Sequence, residues 1–285
     1  MQTRHLTDTP QGLEIAAQVL RNGGRVAFPT ETVYGLGADA GNATAVAGIY
    51  AAKGRPSFNP LIVHVPDIAQ ARELVRWSDT AEALAQAHWP GALTLVLPLR
   101  KGAPISRLVT AGLDSLAIRI PAADLARRLL RAAGVPVAAP SANLSGQISP
   151  TRASHVAWGT EALPTSTSPH RGLDGRIEAI LDGGPCPVGV ESTIVSLTGT
   201  PQVLRPGGIP QETIAATLRT DFGMDLDVNL GGDQPSTSSA VITAPGQLAS
   251  HYAPQAPLRL NAESFLPNEA RLGFGKVACD LNLSP

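Results

Sequence analysis

The residues best suited to chemistry begin with two cations on a short, stiff loop. Lys53 and Arg55 lie in KGRPSFNP, between a predicted helix and the apolar run LIVHV. Lys53 is one of only three lysines in the chain, and two prolines stiffen the loop. Two cations on a rigid loop suit an anion with several charges, such as a triphosphate. Cations at a helix C-terminus also favour the helix dipole, so the pattern alone leaves a structural role open.

Polar side chains recur where other apolar runs end. His64 lies near the end of LIVHV, while Arg119 lies inside the apolar run SLAIRIP that Ser115 begins. The turn PSANLSG (140–146) follows PVAA and presents hydroxyl and amide groups. A charged residue in an apolar strand needs a partner or a ligand if it is buried. An exposed edge strand or a plain Asx turn needs no ligand, and these alternatives stay open.

Three further segments also place polar side chains where apolar runs begin or end. PTETVYGLG (29–37) comes after the run RVAF and is either a plain hairpin or a substrate-lining turn. Glu191-Ser192-Thr193 enters a predicted strand, and Arg205 leaves one. Each signal is weak alone. Together they place Lys, Arg, Ser, Asn and His at several strand ends, where an α/β sheet forms a crevice for anionic ligands.

The elements that must position these residues alternate along the chain to about residue 220. Short β-rich runs bounded by Gly or Pro alternate with Ala-rich helical windows. This alternation predicts an α/β sheet covered by helices, of mixed type because some connections are hairpin-short. The predicted helices are 11–21, 43–52, 67–76, 79–88, 122–132 and 211–219, and the predicted strands are 25–28, 61–65, 92–97, 115–120, 136–139, 178–181, 192–197 and 202–205.

The amino-acid composition changes after residue 223. This change predicts that the chain has three parts. We expect a catalytic domain over 1–222 and, over 223–257, a linker rich in turn formers. Residues 258–285 hold two short apolar runs, too little for a second core. Because the chain stops in mid-pattern, we expect 258–285 to begin a truncated C-terminal domain. The alternative is a tail that packs on the main domain.

The overall composition excludes several classes of protein. With 43% apolar residues the chain is not a disordered low-complexity protein, although Gly (28) and Pro (25) are abundant. A net charge of −1 excludes a polybasic protein that grips nucleic acid by bulk charge. Cys186 and Cys279 form no CxxC pair and suit a reducing compartment. Without an apolar run of membrane-spanning length, we expect a soluble cytoplasmic protein and no membrane partner.

Several common catalytic motifs are absent from the sequence. There is no GxxxxGK[ST], HExxH, GxSxG or SxxK. The segment Gly35–Ala40 fits G-x-G-x-x-[GA], but it follows the run RVAF only after an intervening turn. No acidic residue ends a following strand at the spacing of a dinucleotide fold. The sequence therefore disfavours a Rossmann cofactor site.

Taken in order, seven segments closely resemble the YrdC/TsaC family of L-threonylcarbamoyl-AMP synthases over roughly residues 10–220. They are PTETVYGLG, KGRPSFNPLIVHV, PGALTLVL, AIRIP, APSANLSG, ESTIV and VLRPGG. The linker ending in SHYAP (250–254) resembles the two-domain branch, in which it leads to a smaller Rossmann-like domain. The resemblance implies a YrdC-like open, twisted, mixed α/β sheet flanked by helices.

The resemblance also implies an activity and its partners. The reaction would join L-threonine, bicarbonate and ATP, with Mg2+, into threonylcarbamoyl-AMP and pyrophosphate. The product would serve threonylcarbamoyl-adenosine modification of tRNA through a downstream tRNA threonylcarbamoyl-transferase complex. A weak contact with tRNA itself is compatible with this activity.

The roles of individual residues follow from the same resemblance. Lys53 and Arg55 match the K-x-R motif, implied to be catalytic and to bind the nucleotide phosphates. The other implied nucleotide-binding residues are Asn59, Ser115, Ser141, Asn143, Ser149, Arg205 and Tyr252. The implied threonine-binding residues are Thr32, His64, Arg119 and Ser192, and the resemblance implies no protein ligand to a metal.

Two alternatives from other classes remain at this stage. An RNA-binding module of the same fold, without synthase activity, would need more positive charge and more aromatic residues than this chain has. A carbamoyl-transfer accessory domain, as in hydrogenase maturation proteins, would carry acylphosphatase-like and zinc-finger segments that the sequence lacks.

Overall fold

In the computed structural model, residues 1–159, 172–223, 244, 259–260, 262, 264–266, 269–273 and 276–282 are described. The chain divides into a unit spanning Met1–Ala253 and a second unit spanning Pro254–Pro285. Tyr252 and nearly all of the predicted linker lie outside the described residues. The predicted limits of the catalytic domain, the linker and the truncated domain stay predictions.

Several helices begin and end where the sequence supplies caps, and α2 (Ala43–Lys53) is an example. The side chain of Asn42 accepts hydrogen bonds from the N–H groups of Thr44 and Ala45, and Gly54 ends the same helix with a φ of 60°. All six predicted helices are confirmed, with some ends shifted by a few residues, and two short ones were not predicted. The helices are α1 (Pro10–Arg21), α2 (Ala43–Lys53), α3 (Ile68–Leu74), α4 (Asp79–His88), α5 (Arg107–Thr110), α6 (Asp124–Ala133), α7 (Ala153–Trp158) and α8 (Gln211–Phe222).

Ten strands of the first unit form one mixed sheet, in the order β1-β8-β2-β3-β7-β4-β6-β5-β9-β10. The sheet contains both parallel pairs, such as β4 with β6, and antiparallel pairs, such as β5 with β6. The prediction of a mixed α/β sheet is therefore confirmed. The strands are β1 (Arg4–Thr7), β2 (Val26–Pro29), β3 (Tyr34–Asp39), β4 (Ile62–His64), β5 (Leu93–Pro98), β6 (Ser115–Arg119), β7 (Val137–Ala138), β8 (Ala179–Asp182), β9 (Thr193–Ser196) and β10 (Gln202–Arg205).

The segment PTETVYGLG is a hairpin whose second arm, β3, is a central strand. Phe28 on β2 pairs with Gly35 on β3 in antiparallel register. A Cβ at Gly37 would lie 2.7 Å from the Phe28 ring and 2.8 Å from a methyl carbon of Val137. Gly37 thus makes room for its neighbours in the sheet. The G-x-G pattern lies inside a strand, which agrees with the rejection of a dinucleotide loop.

The two faces of the sheet are covered differently. His64 pairs with Val137 on β7 and with Arg119 on β6, so these three side chains share one face. On that face Val137 packs with Phe28 beneath α1 and α6. Helices α1 and α6 cover the half of this face that contains β2 and β8, whereas His64 and Arg119 lie beside the covered half. The opposite face packs against α2, α3, α4, α7 and α8.

The second unit has two short strands, β11 (Leu272–Gly273) and β12 (Leu281–Asn282), which pair in parallel. Arg271 and Asp280 form an exposed ion pair beside them. In the described parts of both units, no helix is long and apolar enough to cross a membrane.

Candidate active site

A pocket opens on the sheet face that α1 and α6 leave partly uncovered, at the end of β4 and β6. It brings together predicted residues from separate segments of the chain: Thr32, Arg55, His64, Arg119, Ser141 and Arg205. Thr30, Val33, Gly35, Ile62, Ala139, Pro140 and Glu191 complete its lining. Three members of the predicted nucleotide set and three of the predicted threonine set therefore line one cavity.

Arg119 is the buried cation at the end of β6, with only 2% of its surface exposed. Its Nε donates to the carbonyl of Gly91 at 3.0 Å, and Nη1 donates to Oγ1 of Thr32 at 3.0 Å. Nη2 donates to Oε1 of Glu31. These bonds hold the guanidinium still in the pocket wall, where it can meet a carboxylate.

His64, adjacent to Arg119 in the sheet, is a buried neutral imidazole. Burial, reinforced by the positive charge of Arg119, lowers the pKa of His64 to about 3. Its Nδ1 atom is buried and has no hydrogen-bond partner within the described structure. The ring stands edge-on to that of Phe28, with centroids 6.3 Å apart. His64 therefore offers the pocket an uncharged polar edge.

Ser192 and Arg205 form a second polar cluster where β9 begins and β10 ends. Arg205 Nη2 donates to both the carbonyl and the Oγ of Ser192, at 2.8 and 3.0 Å. The Ser192 hydroxyl also lies 2.7 Å from that of Thr94 on β5. Arg205 lines the pocket and is itself 7% exposed. Ser192 thus sits directly behind a pocket cation.

Lys53, at the last position of α2, reaches the turn that carries the S-x-N motif. Its Nζ donates to the main-chain carbonyls of Ser141 and Asn143, and the N–H of Ser145 donates back to the carbonyl of Lys53 at 2.8 Å. Burial and the nearby charge of Arg55 lower the pKa of Lys53 well below its usual value. Two of the three ammonium protons are thus engaged in fixing the turn.

Arg55 follows the helix end and is 9% exposed. Its Nη2 donates to the carbonyl of Pro60 at 3.1 Å, which folds the prolyl loop around the guanidinium. Asn59, in the same loop, is 1% exposed, and its Oδ1 has no partner in the described part of the chain. The loop therefore places the guanidinium of Arg55 in the pocket wall and buries the amide oxygen of Asn59.

Asn143 and Ser149 occupy the turn opposite that loop. Nδ2 of Asn143 donates to the carbonyls of Leu144 and Gln147, which leaves its buried Oδ1 without a partner among the described residues. Ser149 Oγ lies 2.9 Å from Oε1 of Glu191. Ser149 therefore contacts Glu191, and Glu191 lines the pocket.

Of the predicted nucleotide-binding residues, Arg55, Ser141 and Arg205 line the pocket. Lys53, Asn59, Asn143 and Ser149 lie in the segments around it and do not line it. The remaining two, Ser115 and Tyr252, are not brought to it in the described structure. Ser115 begins β6, four residues from Arg119 and therefore about 13 Å away along the strand. Tyr252 lies outside the described residues. Ala244, from the predicted linker, is described and is buried against Ile62 and Ile194 on the same sheet face. The roles of Ser115 and Tyr252 stay predictions.

Two acidic residues of the site were noted in the sequence but given no role. Glu31 and Glu191 each lie beside a buried arginine: Glu31 bonds Arg119, and Glu191 Oε2 lies 3.7 Å from Nη2 of Arg205. Both flank residues that the motifs single out, since Glu31 precedes Thr32 and Glu191 precedes Ser192. The sequence signal that indicates a site role for both glutamates is their position next to a predicted ligand-binding residue.

Comparison with known sequences identifies the family of this chain. A family model for Sua5, YciO and YrdC proteins, described as telomere recombination, matches residues 18–207. The threonylcarbamoyl-AMP synthase of Bacillus subtilis is 48% identical over 89% of this chain and 67% of its own length. That of Pyrococcus abyssi is 44% identical over 86% of this chain and 66% of its own length. The chain thus spans about two thirds of the length of these relatives.

Comparison with solved structures identifies the same family as the sequence comparison. The crystal structure of P. abyssi Sua5 complexed with L-threonine is 36% identical and superposes with a TM-score of 0.80, covering 100% of this chain and 83% of that one. E. coli YciO, 21% identical, covers 75% of this chain and 98% of its own with a TM-score of 0.62, and shows the shared fold. The predicted YrdC-like fold is confirmed, and the chain belongs to the Sua5/YciO/YrdC family.

Proposed function

We propose that this chain is an L-threonylcarbamoyl-AMP synthase, which forms threonylcarbamoyl-AMP and pyrophosphate from L-threonine, bicarbonate and ATP. Relatives 40–48% identical carry that name, and a Sua5 neighbour binds L-threonine. The single observation that carries the proposal is the shared pocket. Arg55, Ser141 and Arg205 line it together with Thr32, His64 and Arg119, so an ATP α-phosphate and a threonine amine could meet there.

The chemistry needs neutralisation of charge more than a nucleophilic side chain. The amine of threonine adds to CO2 from bicarbonate and forms a carbamate, with loss of a proton. A carbamate oxygen then attacks the α-phosphorus, and the bond to pyrophosphate breaks. Attack of an anion on a polyanion is opposed by charge repulsion, which the cations Arg55 and Arg205 would offset in a partly buried site.

Lys53 contributes chiefly by fixing the turn that presents Ser141 and Asn143. Its two hydrogen bonds to main-chain carbonyls hold that turn against the end of α2. The third ammonium proton is available for a phosphate oxygen, and binding of that anion would favour the charged form of Lys53. The K-x-R and S-x-N motifs therefore act as one unit.

On the other side of the pocket, Arg119 is placed to bind the carboxylate of threonine through parallel hydrogen bonds. Thr32 Oγ1 lies against Arg119 Nη1 and supplies a hydroxyl at the same place. His64 keeps an uncharged edge there, which avoids a second positive charge beside the amine that must become neutral before it attacks. These groups would orient the amine toward the phosphate side.

Oxygen atoms suited to the Mg2+ that accompanies ATP lie in the pocket wall and in the two loops beside it. Hard divalent cations prefer oxygen ligands, and Mg2+ commonly combines one carboxylate with substrate phosphates. Glu191 lines the pocket, and Oδ1 of Asn59 and of Asn143 are buried acceptors without a partner in the described structure. No group of three His, Cys, Asp or Glu side chains is gathered there among those residues. When bound, Mg2+ would neutralise phosphate charge.

The test is incubation of the full chain with ATP, Mg2+, bicarbonate and L-threonine. We expect threonine-dependent pyrophosphate release and formation of the adenylate, both measured against a reaction without threonine. No threonine-dependent pyrophosphate would refute the proposed activity. Binding of RNA without pyrophosphate release would instead favour the RNA-binding alternative.

The chemistry of the product indicates what kind of reaction consumes it. A mixed anhydride of a carbamate and AMP is an activated acyl donor, so a downstream tRNA threonylcarbamoyl-transferase complex would consume it. We include this partner and a cytoplasmic location in the proposal, together with the predicted nucleotide roles of Ser115, Ser149 and Tyr252.

A further inference from the structure

Glu31 is a buried carboxylate that the implied site roles do not include. Its Oε1 lies 2.5 Å from Nη2 of Arg119, and the two side chains are only 11% and 3% exposed. Its Oε2 accepts hydrogen bonds from the N–H groups of Ala122 and Ala123, at 2.9 and 3.4 Å. Both oxygens of Glu31 are therefore used, one by the pocket cation and one by the backbone leading into α6.

These contacts join three parts of the fold at one point. Glu31 belongs to the turn between β2 and β3, Arg119 ends β6, and Ala123 directly precedes α6. The turn itself is held from another side, since the N–H of Val188 donates to the carbonyl of Glu31 at 2.9 Å. Neither end of the ion pair lies on a loosely held segment.

The guanidinium of Arg119 is consequently bonded on three sides. Gly91 accepts from Nε, Thr32 from Nη1 and Glu31 from Nη2. A guanidinium has five N–H groups, so one remains on each terminal nitrogen after these bonds. Such a pair of donors suits a carboxylate only if the guanidinium plane is fixed in the right orientation. Among the described residues, Glu31 provides the one charged contact that fixes this plane.

We infer that Glu31 is a positioning residue, which orients Arg119 for the carboxylate of the amino-acid substrate. The inference rests on the proposed function, because it takes that substrate to be threonine. Glu31 touches Arg119 and not the reacting atoms, so it acts on the binding and alignment of threonine. It leaves the nucleotide side, with Arg55 and Ser141, unaffected.

The alternative is that Glu31 only neutralises a buried charge. The chain offers a matched control for this role in the ion pair of Arg25 and Glu178. Glu178 also accepts from Arg25 through both oxygens and from a main-chain N–H, but neither residue lines the pocket. A Glu178→Gln variant therefore measures the effect of weakening a comparable ion pair elsewhere on the sheet.

The experiment measures KM for threonine and for ATP in Glu31→Gln, Arg119→Lys, the double variant and Glu178→Gln. Glutamine keeps the size of Glu31 but places an amide nitrogen against either Arg119 or the N–H groups of Ala122 and Ala123. We expect Glu31→Gln to raise KM for threonine at least tenfold and to change KM for ATP less than twofold. Glu178→Gln should leave both constants within twofold of wild type.

Two further readouts separate positioning from general damage. Glu31→Gln should reduce the preference for threonine over L-threoninamide, which lacks the carboxylate, whereas a structural defect would weaken both substrates equally. In the double variant, the increase in KM for threonine should match that of Arg119→Lys alone, because Glu31 acts through Arg119. Glu31→Asp, which keeps the charge but shortens the reach, should lie between wild type and Glu31→Gln.

Multiplying effects in the double variant, an equal rise in KM for ATP, or an unchanged preference for the carboxylate would overturn the inference. If Glu31→Gln folds poorly, Glu31→Asp carries the same comparisons. A wild-type chain without threonine-dependent pyrophosphate release would contradict the proposed function instead. Calorimetric binding of threonine and L-threoninamide to wild type and Glu31→Gln would then still decide the role of Glu31.

Discussion

The ammonium of Lys53 donates a hydrogen bond to the main-chain carbonyl of Asn143, ninety positions later in the chain. The K-x-R and S-x-N motifs, which the proposed function assigns to the nucleotide, are therefore bonded to each other directly. Because Lys53 is 2% exposed, its charge is stabilised chiefly by those carbonyls and by the field of Glu191. Under the proposed function, this contact couples nucleotide binding to local stability.

Lys53→Ala should therefore impair both stability and nucleotide use. Losing the ammonium leaves two buried carbonyls without donors, at a cost of about 2–4 kcal/mol in the free energy of unfolding. KM for ATP should rise at least tenfold because the turn bearing Ser141 and Asn143 loosens. Urea unfolding and steady-state kinetics measure the two effects. The exposed Lys101→Ala is the control, and equal behaviour of the two variants would contradict the coupling.

Arg55→Ala should weaken use of ATP without a comparable loss for threonine. Arg55 lines the pocket, whereas Arg100 is exposed on another surface of the sheet. Removing one buried cation from a phosphate site should raise KM for ATP at least tenfold, and Arg100→Ala should change it less than twofold. If both variants lose activity alike, the cations act only through bulk charge or helix capping.

His64→Gln should flatten the dependence of stability on pH. The pKa of His64 is about 3 in the folded protein, against an ordinary value of 6.5. Between these values the unfolded chain binds a proton that the folded protein does not, so stability falls as pH falls, by up to about 1.4 kcal/mol per pH unit. Above pH 6.5 this contribution to stability is fully present.

Urea unfolding at pH 7.5 and pH 5 checks this expectation. Wild type should lose about 1–2 kcal/mol more than His64→Gln between the two conditions. His5→Gln is the control, because the His5 side chain is 55% exposed. Equal losses in wild type and His64→Gln would contradict the lowered pKa, because they would mean that the folded protein protonates His64 as readily as the unfolded chain does.

Gly37→Ala should destabilise the sheet next to the pocket. The added Cβ would lie 2.7 Å from the ring of Phe28 and 2.8 Å from Val137, between strands that cannot separate. Overpacking of this kind costs about 1–3 kcal/mol. Gly199→Ala, where a Cβ meets nothing within 4 Å, is the control. Thermal unfolding measures the difference, and equal melting temperatures would mean that Phe28 moves aside freely.

The sequence predicts those features that depend on local pattern. The helix that ends at Lys53 follows from its Asn42 cap and from Gly54. The short β-rich runs that contain His64 and Arg119 are readable as strands because their composition and their flanking prolines are local signals. The motif residues at the ends of those strands could likewise be placed near a common crevice.

Other features depend on contacts between distant segments. Strand β1 is short and mostly exposed, and it is a strand only because β8 pairs with it. That Lys53 faces two carbonyls, and that Glu31 reaches both Arg119 and the start of α6, follows from the register of the sheet. No spacing in the sequence encodes these side-chain directions.

The pairing of β8 with both β1 and β2 also determines when this edge of the sheet can be completed during synthesis. Arg4 on β1 pairs with Ala179 on β8, and Val26 on β2 pairs with Ala179 from the other side. Both pairs can form only after Ala179 has been synthesised. At about 5–20 residues per second, a ribosome needs roughly 10–35 s to supply that partner strand. During this interval the amino-terminal strands of the nascent chain have no sheet neighbour at that edge. The hairpin carrying Thr32 can pair within itself, but the other edge of β2 stays without a partner until Ala179 emerges. An unpaired strand edge of this kind is the surface that a chaperone would cover in the interval.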